Sequence, residues 1–163
     1  MELVDVKVER STGSPVVVLR PKDGAPRVVP IFIGRAEAEA IRWGMTGKRL
    51  PRPMTHDLAI DLISSCGAEL VHIVIAELRD NTFFAELHLH VGGQRRVVSS
   101  RSSDAIALAV RAGVPIYAEE AVVEEAGVAM DDERTTADLP AGGDELVDEF
   151  RKFIDDINPE DFV

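Results

Sequence analysis

The chain has 163 residues, close to the usual size of one domain, and its hydrophobic (45%) and charged (29%) fractions exclude an intrinsically disordered protein. Its formal net charge of −11 is unevenly distributed, because residues 1–127 hold 15 Lys/Arg against 17 Asp/Glu and residues 128–163 hold 3 against 12. The long N-terminal region is therefore nearly neutral, and most of the acidity lies in the C-terminal region.

The sequence pattern argues against a membrane or secreted protein. No apolar run approaches the roughly 20 residues that span a bilayer, and the N-terminal MELVDVKVER carries acids at Glu2 and Asp5 and has the pattern of a strand rather than of a secretory signal. The single cysteine, Cys66, excludes an internal disulfide and fits a reducing compartment. It lies in an apolar helical stretch, so we expect a buried, inert thiol. We expect a soluble, cytoplasmic protein without membrane contact.

Two parts of the chain share one order of predicted elements, three strands and then a helix. In the first part the strands are predicted at 3–9, 14–21 and 27–34 and the helix at 35–45; in the second they are predicted at 70–78, 82–91 and 94–100, with the helix at 102–113. The interval from the first strand to the helix start is 33 residues in the first part (Val4 to Glu37) and 32 in the second (His72 to Asp104). This agreement favours an internal duplication over a chance likeness of two α+β halves.

An insert, 46–68, separates the two copies. Pro51 and Pro53 favour extended backbone, and a helix is predicted to follow, with Thr55 as N-cap, Asp57 in the first turn and Gly67 at its end. After the second copy, the sequence predicts a short strand at 114–118.

These elements predict an α+β fold of duplicated β-β-β-α units with a mainly antiparallel sheet. We assign the duplicated domain to 1–127, an acidic linker to 128–143, and an acidic C-terminal helix and tail to 144–163. The helix is amphipathic, with its apolar residues at helical spacing: Leu146, Phe150, Phe153 and Ile157. Such an apolar stripe should pack on this chain, on a second subunit or on a protein partner. Because edge strands of duplicated β-rich units often pair across a symmetry axis, we expect a homodimer.

Four segments in this order carry a resemblance to a known family: PIFIGRAEAEAI (30–41), GKRLPRPMTHDL (47–58), FFAEL (83–87) and RSSDAIALAVR (101–111) followed by PIY. Over residues 1–127 the chain resembles the bifunctional nuclease domain. The resemblance implies hydrolysis of phosphodiester bonds in RNA and DNA with little sequence specificity, and hence nucleic acid as partner. Two positions depart from the family pattern, because Ser99 stands where an aspartate is usual and Ser102 where a proline is usual.

Hydrolysis of a phosphodiester needs cations on the phosphate and a group that activates water or a ribose hydroxyl. The sequence has two groups of cations that could line one phosphate-binding groove if the two copies pack about a pseudo-twofold axis. The first group lies in the first copy and the insert: Arg42, Lys48, Arg49 and Arg52. The second lies in the second copy: Arg95, Arg96, Arg101 and Arg111. Of these, Arg49, Arg52 and Arg101, together with Ser103, are the candidate substrate-binding residues. The alternative is a set of surface arginines paired with nearby carboxylates.

His56, Asp57 and Asp104 are the candidate catalytic residues, because a histidine can act as acid or base near neutral pH and a carboxylate can assist it. Asp104 and Glu37 are the candidate ligands if Mg²⁺ or Mn²⁺ takes part. The alternative is helix capping, since both acids stand in the first turn of a predicted helix and Ser102 or Ser103 can serve as N-cap beside Asp104.

Other polar and aromatic residues give weaker signals. His88 and His90 lie two apart on a predicted strand, a spacing that can bind metal, but no third ligand is evident. Trp43, Phe32, Phe83 and Phe84 are expected in the core. With 5% aromatics, base stacking has little support. The rival to a nuclease is a non-catalytic regulatory or protein-interaction module, favoured by Ser99 and by the acidic tail.

Overall fold

The computed structural model describes residues 1–9, 12–22, 26–48 and 50–129. Its strands are β1 (Glu2–Val8), β2 (Pro15–Arg20), β3 (Arg27–Phe32), β4 (Ala68–Arg79), β5 (Thr82–Val91), β6 (Gln94–Arg101), β7 (Ile116–Ala118) and β8 (Val128–Ala129). Its helices are α1 (Arg35–Met45), α2 (Thr55–Ser65), α3 (Ser102–Ala112) and α4 (Glu120–Ala126). The predicted acidic C-terminal helix and all of the linker beyond residue 129 lie outside the described residues.

The three-strands-then-helix order predicted for each copy is present in both halves. β1, β2 and β3 form an antiparallel meander followed by α1, and β4, β5 and β6 form a second meander followed by α3. The β4–β5 connection is a two-residue turn in which Asp80 and Asn81 have φ of 49° and 56°, a conformation that these two residue types tolerate. The prediction of an α+β fold with mainly antiparallel sheet is confirmed.

The fourth strand of each sheet distinguishes the two halves. In the first sheet β8 pairs antiparallel with β3, the last strand of its meander; in the second β7 pairs parallel with β4, the first strand of its meander. Val128 and Ala129, assigned from the sequence to the linker, therefore complete the first sheet. Both fourth strands come from the segment after α3, so that segment ties the two sheets together.

The main core joins the buried faces of both sheets to α1 and α3. Alanines at alternate positions of α3, Ala105, Ala107 and Ala109, are fully buried and let neighbouring elements approach closely. Gly44 near the end of α1 has the same effect, because a Cβ there would meet the side chains of Val110 and Arg111. The starts of α1 and α3 consequently lie side by side.

Three burial predictions were wrong. Trp43 and Phe32 are 38% and 42% exposed and are not core residues, because Trp43 stands in the last turn of α1 and Phe32 is the last residue of β3. Cys66 is exposed, since it is the residue that ends α2 at the surface. No described helix is both long and apolar enough to cross a membrane.

Candidate functional site

The insert brings α2 against α3. Residues 50–54 are not helical, and Met54, in extended conformation, is the N-cap of α2; the predicted N-cap Thr55 is instead the first helical residue. No residue of α2 is fully buried, but its first turn and its Ala59 and Ile60 pack on the core around α3. His56 and Asp57 are thereby aimed at α3, while Leu58 and Leu62 remain exposed.

Four side chains from three helix starts form a continuous hydrogen-bonded chain. His56 Nε2 lies 3.1 Å from Asp104 Oδ1, a contact between residues 48 apart in sequence. Arg101 donates from Nε to Asp104 Oδ2 (2.7 Å) and from Nη2 to Asp104 Oδ1 (3.1 Å). Its Nη1 donates to Glu37 Oε1 at 3.1 Å. The two copies and the insert therefore each contribute to one site.

The charges of these four hydrogen-bonded side chains determine which nitrogen of His56 carries the proton. Hydrogen bonds from Arg101 lower the pKa of Asp104 against the opposing effect of burial, with a further contribution from His56. The carboxylates of Asp104 and Glu37 in turn raise the pKa of Arg101. An ionised carboxylate is an acceptor only, so the proton of a neutral His56 lies on Nε2. Its Nδ1 then carries a lone pair, and none of the described residues donates to it.

Protonation of Asp104 at acid pH should lower the free energy of unfolding. A carboxyl whose pKa is lowered by folding stabilises the protein above its ordinary pKa near 3.8, and this stabilisation is lost as the pH falls through the folded-state value. Between about pH 6 and about pH 3, wild type should lose roughly 1 kcal/mol more unfolding free energy than Asp104→Asn, a size expected for a partly exposed pair. Urea unfolding at both pH values measures this difference. An equal loss in both proteins would show that Asp104 is not held ionised by its neighbours.

Asp57 has a different environment from Asp104. Its Oδ2 accepts the Met54 backbone N–H at 2.9 Å, and its Oδ1 accepts Arg111 Nε at 2.6 Å. Burial alone would raise the pKa of Asp57, but these hydrogen bonds lower it below its ordinary value. The contacts of Asp57 are those of a capping and anchoring group. Asp104, by contrast, has no side-chain capping bond at the start of α3, where Arg101 is the N-cap.

The candidate substrate-binding residues differ in exposure and in their partners. Arg101 is 66% exposed, and each of its guanidinium nitrogens donates to Asp104 or Glu37. Arg52 is exposed on the insert and makes no hydrogen bond or ion pair with the described residues. Ser103 is buried in the first turn of α3, which limits its access to a substrate. Arg49 lies outside the described residues.

The predicted groove, lined by both groups of cations, does not form among the described residues. Arg95 and Arg96 stand at the start of β6 and Arg101 at its end, which separates them by about 16–20 Å of strand. Arg42 donates to the Val6 carbonyl, and Arg111 is buried. These two arginines hold the fold together rather than line a surface.

The sequence model of the bifunctional nuclease domain matches residues 17–131, a range that includes His56, Arg101 and Asp104. The chain belongs to the bifunctional nuclease domain family. The sequence resemblance to this family is thus confirmed.

Relatives of this bifunctional nuclease domain fall into two groups. An uncharacterized protein of Mycobacterium tuberculosis is 40% identical over 162 residues, covering 99% of this chain and 96% of that protein. Bifunctional nuclease 2 of Arabidopsis thaliana is 29% identical over 119 residues, covering 71% of this chain and 36% of that protein. Bifunctional nuclease 1 of the same plant is 30% identical, covering 63% of this chain and 32% of that protein. The chain thus matches about a third of each plant protein.

A divalent cation does not fit the candidate site as its side chains are arranged. Both oxygens of Asp104 and one of Glu37 accept hydrogen bonds from Arg101, so the guanidinium stands where a metal bound by these two carboxylates would stand. Among the residues that the structure describes, no group of three or more His, Cys, Asp or Glu side chains is placed to hold a metal ion. His88 instead stacks on His72 and contacts Glu86, on the second sheet.

Sequence reasoning missed two features beside this site. Arg111 was grouped with surface cations, although its position in the last turn of an alanine-rich, apolar helix is a signal for a buried role. Trp43 was assigned to the core, although its neighbours Gly44 and Met45 end α1. Trp43 and Arg111 both line a cavity next to the start of α2. At the family's usual aspartate position, Ser99 is exposed on β6 opposite Glu86.

Proposed function

We propose that this protein hydrolyses phosphodiester bonds of RNA and DNA, with His56 as the general base and Asp104 as the residue that orients it. Membership of the bifunctional nuclease domain family supports the reaction class. The observation that carries the choice of residues is the 3.1 Å contact between His56 Nε2 and Asp104 Oδ1.

The proposed chemistry follows from the proton positions. With Nε2–H donated to Asp104, the lone pair on His56 Nδ1 accepts a proton from the attacking nucleophile. In RNA this nucleophile is the 2′-hydroxyl next to the scissile phosphate, and in DNA, which lacks it, the nucleophile is water. As the oxygen of the nucleophile bonds to phosphorus, the bond from phosphorus to the leaving sugar oxygen breaks; that oxygen takes a proton from solvent, and the imidazolium returns its own proton to solvent. Asp104 holds the imidazole in this tautomer and stabilises the imidazolium that forms.

Arg101 is the proposed phosphate ligand. Asp104 and Glu37 fix its guanidinium from one side, while the side chain remains 66% exposed. A guanidinium held in place stabilises charge that develops on the phosphoryl oxygens, since it does not need to reorganise during the reaction. Arg52 is close in sequence to His56 and adds a second positive charge. Contacts with phosphate carry no base information, which is consistent with low sequence specificity.

Cleavage of labelled single-stranded RNA and DNA by the purified full-length chain tests the proposal. Asp104→Asn should lower the cleavage rate by about 100-fold or more, because the amide can hold His56 in the wrong tautomer. Asp80→Asn, the same change in the exposed β4–β5 turn, is the matched control and should cleave at the wild-type rate. Since no proposed step uses a cation, cleavage should persist in EDTA. A strict requirement for Mg²⁺ or Mn²⁺ would mean that Arg101 moves aside to admit a metal.

Two results would contradict the proposal. Equal cleavage by wild type and Asp104→Asn would assign the activity to other residues or to a contaminant. Binding of nucleic acid without cleavage, in EDTA and with either metal, would favour the non-catalytic module instead.

A further inference from the structure

A cavity of about 220 Å³ lies beside the candidate active site, between the end of α1, the insert, α2 and the last turns of α3. Its lining includes Trp43, Lys48, Ile60, Asp61, Val110 and Arg111. It is smaller than the roughly 300–1,000 Å³ of pockets for drug-sized ligands. A ligand of the size of a single aromatic base matches it better.

The walls of the cavity are apolar and one of them is aromatic. Leu50, Pro53, Ile60 and Val110 line it, and Trp43 contributes an indole that is 38% exposed. This is the chain's single tryptophan, and its side chain is not part of the buried core. An exposed indole over an apolar cavity offers a flat surface on which an aromatic ligand can stack.

The cavity has few polar groups, and among them Arg111 is fixed by hydrogen bonds. The Arg111 side chain is only 7% exposed; its Nε and Nη1 donate to Asp57 and to two helix carbonyls, and its Nη2 has no acceptor among the described residues. At the rim, the Asp61 carboxylate has no hydrogen bond or ion pair within the part of the chain that is described. Lys48 is exposed at the same rim. The cavity thus holds one buried donor, an unpaired acceptor and a cation.

We propose that this cavity is a nucleobase subsite, which binds one unstacked base of the nucleic acid that the candidate active site cleaves. The inference rests on the proposed function. A base in the cavity would stack on Trp43, donate from an N–H to Asp61 and accept from Arg111, a combination by which proteins bind bases of single-stranded nucleic acids.

The position of the cavity along α3 agrees with this assignment. Arg111 follows Asp104 by seven residues, which is about 10 Å along the helix axis. His56, which contacts Asp104, is adjacent in sequence to Asp57, which contacts Arg111. A nucleotide next to the phosphate at His56 can therefore place its base in the cavity. Single-stranded substrates should be preferred, because a paired base is not free to enter.

The emission of Trp43 reports directly on the proposed contact. Guanosine 5′-monophosphate, whose base offers donors to Asp61 and acceptors to Arg111, should quench it saturably, and ribose 5-phosphate at equal concentration should quench it little. Asp61→Asn should weaken guanosine 5′-monophosphate binding roughly five- to tenfold, whereas Asp80→Asn should leave it unchanged. Quenching no stronger than that by ribose 5-phosphate, or equal affinity of wild type and Asp61→Asn, would overturn the inference.

Calorimetry with the same nucleotide gives a second measurement that does not need the fluorophore. Trp43→Ala should bind roughly tenfold or more weakly and Trp43→Phe should retain most of the affinity, in line with the contribution of stacking. Thermal melts identify any variant that fails to fold. Wild-type affinity in a folded Trp43→Ala protein would also overturn the inference.

The two proposals fail separately in these experiments. Cleavage without base-dependent quenching leaves the nuclease proposal intact and removes the subsite. Base-dependent quenching without cleavage leaves a nucleotide-binding cavity and removes the hydrolytic role of His56.

Discussion

Replacing His56 with alanine is expected to lower the rate of RNA cleavage by about 10²–10⁴-fold, the usual contribution of a positioned general base. The variant leaves Asp104 and Arg101 paired with each other through two hydrogen bonds, so phosphate binding should change much less than the rate. Single-turnover cleavage of a short RNA, at enzyme concentrations above and below saturation, separates the rate from the affinity. The loss should appear in the rate.

His56→Gln distinguishes proton transfer from support of the fold. Its amide can still donate to Asp104 but cannot accept a proton in the reaction, so it should be as inactive as His56→Ala and more stable. His90→Ala is the matched control, because His90 is an exposed strand residue whose side chain makes no hydrogen bond in the described structure. If His56→Gln cleaved at the wild-type rate, His56 would be a structural ligand of Asp104 and the base would have to be sought elsewhere.

Much of the architecture could be predicted from the sequence because it depends on local patterns. Alternation of apolar and polar residues identified the strands, and glycine or Asp-Asn turns marked their ends. Repetition of the same order identified the two β-β-β-α units. The pairing of β7 and β8 could not be predicted in this way, because strands of three and two residues carry no periodic signal and pair with segments more than 40 residues distant.

The candidate site could be predicted in part for the same reason. The sequence placed His56, Asp57 and Asp104 at helix starts, where a capping role and a chemical role use the same residue types. Asp57 is an anchoring acid and Asp104 the proposed orienting acid, and this difference depends on the partners that each gains when α2 packs on α3. Arg111 gives Asp57 a partner, and Arg101 and His56 give Asp104 its partners. The contacts of Asp57 with Arg111 and of Asp104 with His56 are long-range, and no local pattern encodes them.

The hydrogen bond between Arg111 and Asp57 lies directly beside the candidate site. Asp57 is adjacent to His56 in the first turn of α2, so the bond from Arg111 to Asp57 holds the backbone that carries His56. Besides this bond, α2 is held by partly buried residues such as Ala59 and Ile60 and has no fully buried residue. The buried Arg111 of α3 should therefore contribute to the position of the proposed base.

Arg111→Met is expected to destabilise the protein by roughly 2–3 kcal/mol, the cost of removing a buried charged donor from a carboxylate that is itself partly exposed. The change keeps an apolar stem of similar length, leaves Asp57 Oδ1 without its Arg111 donor, and removes a side-chain donor from the carbonyls of Ala40 and Ala107, which are also helix carbonyls. This is a sizeable share of the roughly 5–15 kcal/mol by which a domain is usually stable. Urea unfolding followed by circular dichroism measures it. Arg96→Met, which removes an exposed arginine bonded to Gln94, is the control and should change stability by less than about 0.5 kcal/mol.

A double-mutant cycle with Asp57→Asn shows whether the destabilisation comes from the pair. Because Arg111 and Asp57 are in direct contact, the double variant should lose clearly less than the sum of the two single losses, by roughly 0.5–3 kcal/mol. Additive losses would mean that Arg111 acts through the Ala40 and Ala107 carbonyls alone. In that case the first turn of α2 must be held by its packing on α3, and His56 would keep its place without the anchor.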